Sequence, residues 1–165
     1  QELEKITGFS LFHNHMTIEL VLDVFKSFHI PAIEALRKTI FEEFTKTDLP
    51  GLILTLQLPF DQADEIDYLN DLILFFENKG IESYILELDA SLEERLIRNK
   101  TENRLNHKAS KRDIKTSENR LIKAYENYRF ISLPGEIKHK NFLQIDNTNI
   151  SAEEVAIYTK NYFNL

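Results

Sequence analysis

Two groups of residues in this sequence are suited to chemistry: the tripeptide His13-Asn14-His15 and the run of cations from Arg95 to Arg112. Residues two apart in an extended chain point the same way, so both imidazoles can reach one ligand, and each can titrate near neutral pH. A substrate or a phosphate group suits such a pair. Zinc does not, because it needs a third protein ligand and the nearest acids, Glu19 and Asp23, fall on the helix expected to follow. No metal ligands are assigned. The second group is Arg95, Arg98, Lys100, Arg104, His107, Lys108, Lys111 and Arg112, a basic island in an acidic chain. Guanidinium groups grip phosphate oxygens bidentately and stabilise charge on a transferring phosphoryl group. Arg95 and Arg98 are three apart and project from one helix face. A solvated face is the ordinary reading of a charge run. Here the segment Thr101–Ser110 has few large apolar residues and no periodicity, so it reads as an exposed loop and the region of about 95–113 as a lid.

These residues must be positioned by an alternation of strands and helices. Short apolar runs at Phe9–Phe12, Leu52–Leu58, Ile81–Leu88 and Phe142–Asp146 read as buried strands. Between them lie helical stretches. The first ends at Gly8, a left-handed cap, and the next begins at Thr17 as N-cap. A third runs to about Lys46, and a fourth is capped by Asp61. Ser91-x-x-Glu94 opens a fifth, Lys111–Arg129 is a sixth, and Ser151-x-x-Glu154 opens the last. This is an α/β pattern with a parallel sheet. In open parallel sheets ligands bind at the carboxyl ends of the strands. The residues to examine are therefore His13, Asn14 and His15, then Gln57 and Asp61, then Asp89, then Asn147, Thr148 and Asn149.

Composition narrows the function. The chain has 165 residues, 42% hydrophobic and 28% charged, which is one domain's worth with one core. It has no Cys, which removes disulfide scaffolds, thiolate metal sites and cysteine nucleophiles and is compatible with a reducing, cytoplasmic location. A net charge of −7 argues against a general binder of nucleic acids or anionic membranes. No aromatic residue stands between Glu93 and Arg112 to stack on bases, which weakens RNA binding further. No apolar run approaches the roughly 20 residues of a membrane helix.

The stretches Gly8–Thr17, Ile40-Phe41-Glu42-Glu43, Leu92–Thr101, Lys108–Asp113 and Ile145–Asn149 together resemble the P-loop small-molecule kinases: the shikimate, gluconate and nucleoside-monophosphate kinases, and more closely a bacterial branch of AAA-type or shikimate-kinase-like proteins. The resemblance spans essentially the whole chain. It implies a three-layer P-loop kinase-like fold with parallel strand order 2-3-1-4-5, ATP and Mg²⁺ as cofactors, and a small-molecule phosphate acceptor. It implies too that the first strand and its G-x-x-x-x-G-K-[ST] loop are missing, since the only glycines are Gly8, Gly51, Gly80 and Gly135. Roughly 20 residues are expected upstream of Gln1, and without them ATP should bind poorly. Carried onto this sequence, Arg95, Arg98 and Arg104 match lid arginines that close on ATP phosphates. Asn147, Thr148 and Asn149 match the loop near adenine. Lys111 and Arg112 fall among lid or substrate-anion contacts. His13, Asn14 and His15 take the substrate position, where these kinases place carboxylates. Arg37 falls in the substrate region, with pairing to Glu34 as its ordinary alternative, and Gln57 lies at the substrate loop. Asp61 is the nearest acid for a base or a Mg²⁺ partner. The expected activity is an ATP-dependent phosphotransferase; the alternative is a non-catalytic nucleotide- or phosphate-binding module.

Overall fold

A computed structural model describes residues 1–165. The chain runs α1 (Glu2–Thr7), β1 (Ser10–His13), α2 (His15–Phe25), α3 (Ile30–Phe44), β2 (Leu52–Thr55), α4 (Ala63–Glu77), β3 (Ile85–Asp89), α5 (Leu92–Asn99), α6 (Glu102–His107), a single 3-10 turn (Ala109–Lys111), α7 (Ile114–Asn127), β4 (Phe142–Asp146) and α8 (Ala152–Phe163). The mixed α/β class and the parallel strands are as expected. The strands form two separate two-stranded parallel sheets, β1 with β2 (Ser10 opposite Leu52) and β3 with β4 (Ile85 opposite Phe142).

Local chemistry explains most element ends. Gly8 caps α1 at φ 73°, in the left-handed region that favours glycine. Ser151 and Glu154 form a reciprocal capping box, the Ser151 hydroxyl accepting from the Glu154 amide at 3.2 Å and the Glu154 carboxylate from the Ser151 amide at 2.9 Å. Ser91 makes only half of such a box: its hydroxyl accepts from the Glu94 amide, while its own N–H donates to Thr148 Oγ1 at 2.9 Å.

Three expectations are corrected. Thr17 is not the cap of α2. Asn14 occupies the cap position and Thr17 lies inside the first turn, its hydroxyl donating to the Asn14 carbonyl at 3.2 Å. Asp61 does not cap α4; Gln62 holds that position, and Asp61 accepts instead from the Arg129 amide at 3.3 Å. The segment 101–110 is not an open loop, because α6 and the 3-10 turn occupy it. Acidic Glu102 at the start of α6 and Arg104 and His107 near its end suit the helix dipole, so the helix forms without an apolar stripe.

The strands are also less covered than their apolar runs imply. No residue of β1 or β2 is fully buried, and Leu88 in β3 is 45% exposed. One small core joins β1, α3 and α4 through the edge-to-face pairs Phe12–Phe41 and Phe41–Phe76, with centroids 6.0 and 5.6 Å apart. Leu143 of β4 and Val155 and Ala156 of α8, the helix that packs on α1, are also buried. Only 16 of 165 residues are buried, which is thin for a chain of this size, and the reason lies between the sheets. A cleft of about 1160 Å³ there is lined by Leu52 and Leu54 of β2, Leu86 and Leu88 of β3, and Val155 of α8.

Candidate functional site

At the carboxyl end of β1 the backbone is pinned to its neighbour strand: the Asn14 amide donates to Thr55 Oγ1 at 3.1 Å. Arg37 reaches across from α3, its Nε donating to Thr17 Oγ1 and its Nη2 to the Asn14 carbonyl, both at 3.2 Å. It therefore braces the start of α2 and does not pair with Glu34. His15 is buried, and its Nδ1 donates to Glu19 Oε1 at 2.9 Å. The carboxylate thus fixes the tautomer and leaves Nε2 as an acceptor without a protein partner. Burial lowers the His15 pKa, and Glu19 opposes that shift only in part, so the ring is neutral at pH 7.

The 102–111 segment closes over these residues. Ser110 donates its hydroxyl to Glu19 Oε1 at 2.6 Å and its amide to Oε2 at 3.0 Å. His107 stands edge-on to His13 with ring centroids 6.2 Å apart. His107 Nδ1 donates to the Asn103 carbonyl at 2.7 Å, and its Nε2 accepts from the Gln1 amide at 2.9 Å. Arg104, Lys108 and Lys111 crowd the same place and raise the cost of one another's charge. Burial first, then Arg104 and Lys111, pull the Lys108 ammonium down to about 8. Burial, then Arg104, lowers Lys111, and burial lowers Arg104. His13 falls too, by burial and then by Lys108 and His107. Two buried nitrogens here, His13 Nδ1 and Arg104 Nε, have no hydrogen-bond partner at all. An unpaired buried guanidinium N–H and crowded cations cost stability, and an anion offering several acceptors relieves both; His13 Nδ1 joins in the tautomer that carries its proton there.

The remaining sequence-selected residues group at the ends of β3 and β4. Arg95 donates from Nη2 to Asp89 Oδ1 and from Nε to the Ala90 carbonyl, each at 2.7 Å. Arg98 donates from Nε to Glu94 at 2.7 Å, from Nη1 to Asn147 Oδ1 at 3.0 Å and from Nη2 to the Asn147 carbonyl at 2.7 Å. Thr148 is folded onto Asp146, its hydroxyl donating at 2.6 Å. Both arginines are thus occupied as brackets between α5 and the strand ends, whereas Arg104 has capacity to spare. Asn149 is exposed, and Gln57 is exposed and lines the cleft between the sheets. Arg112 is exposed and donates to the Leu105 carbonyl at 3.2 Å, holding the end of α6. Asp61, ahead of α4, is tied to the Arg129 amide just past α7.

Sequence reasoning reached His13, His15 and Arg104 but gave no part to Glu19, Ser110 or Gln1. It weighed Glu19 only as a metal ligand. The usable signal was spacing: Glu19 is four residues from His15, one helical turn. No group of three or more His, Cys, Asp or Glu side chains converges anywhere, so the donor set does not fit a Mg²⁺ ion held by protein ligands. No glycine opens a helix as a phosphate-cradling loop would; the cations around His13 fit phosphate oxygens, but nothing here fits a whole triphosphate. No helix is long and apolar enough to cross a membrane. Compared with family models, with curated proteins and with solved structures, the chain matches none.

Proposed function

We propose that this chain supplies the acceptor pocket and cationic lid of an ATP-dependent phosphotransferase acting on a small anionic metabolite or nucleotide, on the P-loop kinase plan. The observation that carries this reading is the pair of partnerless buried nitrogens, His13 Nδ1 and Arg104 Nε, among cations that repel one another. The two parallel pairs, β1–β2 and β3–β4, agree with the flanks of a 2-3-1-4-5 sheet. In this reading Arg104, Lys108 and His13 hold the acceptor's anionic group and Lys111 adds charge at the rim. His15, oriented by Glu19, keeps Nε2 for the acceptor's hydroxyl proton. Ser110, bonded to Glu19, keeps the lid shut against water. ATP is the expected phosphoryl donor. The acids present do not make a Mg²⁺ site, so no step is assigned to the metal.

The same shortage of acids, with Asp61 and Asp89 already bonded, favours a second reading: a phosphate- or nucleotide-binding module without turnover. A thermal-shift screen of nucleotides and of hydroxyl- or phosphate-bearing metabolites, followed by phosphorus NMR of each hit with ATP and Mg²⁺, separates them. Phosphoryl transfer to a hit supports the enzyme. Binding indifferent to Mg²⁺, with ATP intact, supports the module. A screen with no phosphate-bearing hit removes both.

A further inference from the structure

We infer that the basic strip running from Arg104 through Lys111 to Arg120 and Lys123 receives single-stranded nucleic acid, with one base stacked on Tyr128. The inference rests on the placement of charge and of one aromatic ring, and not on the phosphotransfer reading.

From Arg104 to Lys123 the sequence carries seven cations and two acids. Both acids have other partners. Asp113 caps α7, accepting from the Thr116 amide at 3.1 Å and from its hydroxyl at 2.7 Å, and Glu118 pairs with Lys100 at 2.8 Å. None of the seven cations forms an ion pair, whereas eight lysines and arginines elsewhere do. The arginines sharpen the contrast. Arg37, Arg95, Arg98 and Arg129 each donate at least two hydrogen bonds to protein acceptors, while Arg104 and Arg120 donate none.

These side chains form one strip. The 3-10 turn that carries Lys111 packs against both α6, which carries Arg104, and α7, which carries Arg120. Burial first, then Arg104 and Arg120, lower the Lys111 pKa, so Lys111 feels the cations on either side of it. On α7, Arg120, Lys123, Ala124 and Asn127 share one face at helical spacing. With Tyr128 they line a shallow groove of about 490 Å³. Tyr128 is 46% exposed, at the point where α7 ends.

An exposed ring beside two cations suits a nucleotide unit. Phosphate oxygens meet Arg120 and Lys123, and the base lies on Tyr128. Repeated phosphates suit the rest of the strip, as far as the partnerless Arg104 Nε. Only an unpaired strand offers a free base face, so a duplex does not fit. An acidic protein uses the cations but gives the ring no partner. The net charge of −7 argues against binding by the surface at large, but a strand laid on this strip meets the local charge. The stacking residue absent between Glu93 and Arg112 is supplied beyond them, by Tyr128.

Fluorescence anisotropy tests this with a labelled oligouridylate of about eight nucleotides, and with oligothymidylate, a duplex and polyglutamate of matched length as competitors. The proteins are the wild type, Arg120→Gln/Lys123→Gln, Tyr128→Leu, Tyr128→Phe, and Lys79→Gln/Lys138→Gln, which removes two exposed cations outside the strip. Saturable binding is expected to weaken about tenfold or more in Arg120→Gln/Lys123→Gln and in Tyr128→Leu, and to persist in Tyr128→Phe and in the control pair. The slope of log affinity against log salt should fall by about 1.4 in Arg120→Gln/Lys123→Gln, from about 0.7 per lost phosphate contact. No saturable binding overturns the inference, and so does equal weakening in the control pair. Competition by duplex or by polyglutamate as strong as that by oligothymidylate overturns it too, because the face then takes any polyanion or an acidic protein. If Tyr128→Leu fails to fold, seen by circular dichroism, the salt slope of the exposed cation pair decides alone. Pyrophosphate binding at His13 enters none of these readouts, so failure here is distinct from failure of the functional proposal.

Discussion

Glu19 on α2 accepts both the hydroxyl and the amide of Ser110, at 2.6 and 3.0 Å, while holding His15 through the same carboxylate. One acid thus links the 102–111 segment to the histidine at the carboxyl end of β1. Burial alone would raise its pKa, but the bonds from Ser110 and His15 outweigh burial and hold it below the ordinary 4.5. A depressed carboxylate contributes stability above its unfolded pKa and loses it as pH falls through the folded value. Acidification below about pH 4.5 should therefore loosen residues 102–111 before the rest of the chain, and Ser110→Ala should do so at neutral pH at a cost of about 0.5–1.5 kcal/mol. Amide exchange across α6 checks both; unchanged exchange would show that the link carries no load.

Lys108 gives the opposite sign. Folded, it releases its proton at about 8, against an ordinary 10.5. Between those values the unfolded chain holds more protons, so stability should rise with pH across this window as the buried charge is lost. Lys108→Met should raise thermal stability at neutral pH and flatten that rise. A wild-type melting temperature that falls steadily from about pH 8 to 10 would contradict it.

Arg98 binds Glu94 and both oxygen acceptors of Asn147, tying α5 to the loop after β4. Arg98→Ala is expected to cost about 1–3 kcal/mol in urea unfolding, with Arg98→Lys intermediate because a point charge cannot make the fork. Wild-type stability in Arg98→Ala would remove the bracket.

Gly51 opens β2 directly under the Phe9 ring, where an added Cβ would meet ring carbons at 2.6 Å. Gly51→Ala should destabilise by about 1–3 kcal/mol through overpacking, and adding Phe9→Leu should recover part of that. Equal stability of Gly51→Ala and wild type in chemical denaturation would show that the ring moves aside freely.

Much of the fold is legible because its signals are local. The Ser151–Glu154 box, the Gly8 cap and the apolar run of β4 each depend on neighbours in sequence, and each falls where the residues put it. Where several residues compete for one role, the sequence misleads. Asn14 takes the cap from Thr17, its amide held by the Thr55 side-chain hydroxyl of the neighbouring strand. Asp61 is drawn off by Arg129, sixty-eight residues away. The α6 helix escapes notice because it buries no apolar face and is held through Gln1, Arg112 and, next to it, Ser110, contacts that no periodicity reports. The same holds at the site. The histidines announce themselves by type, but whether Arg98 or Arg104 is free for a ligand depends on Asn147, a partner forty-nine residues from Arg98.

The cationic cluster around His13 is tested most directly by calorimetric titration of inorganic pyrophosphate into the wild type, Arg104→Gln and Lys108→Gln, with sulfate, an anion of fixed charge, titrated at about pH 7 and about pH 9.5. Saturable pyrophosphate binding that weakens about tenfold or more in each variant, and sulfate binding that fades as Lys108 loses its proton, is the expected result. No saturable heat from the wild type, or equal affinity in all three proteins, would contradict an anion site at His13 and Arg104.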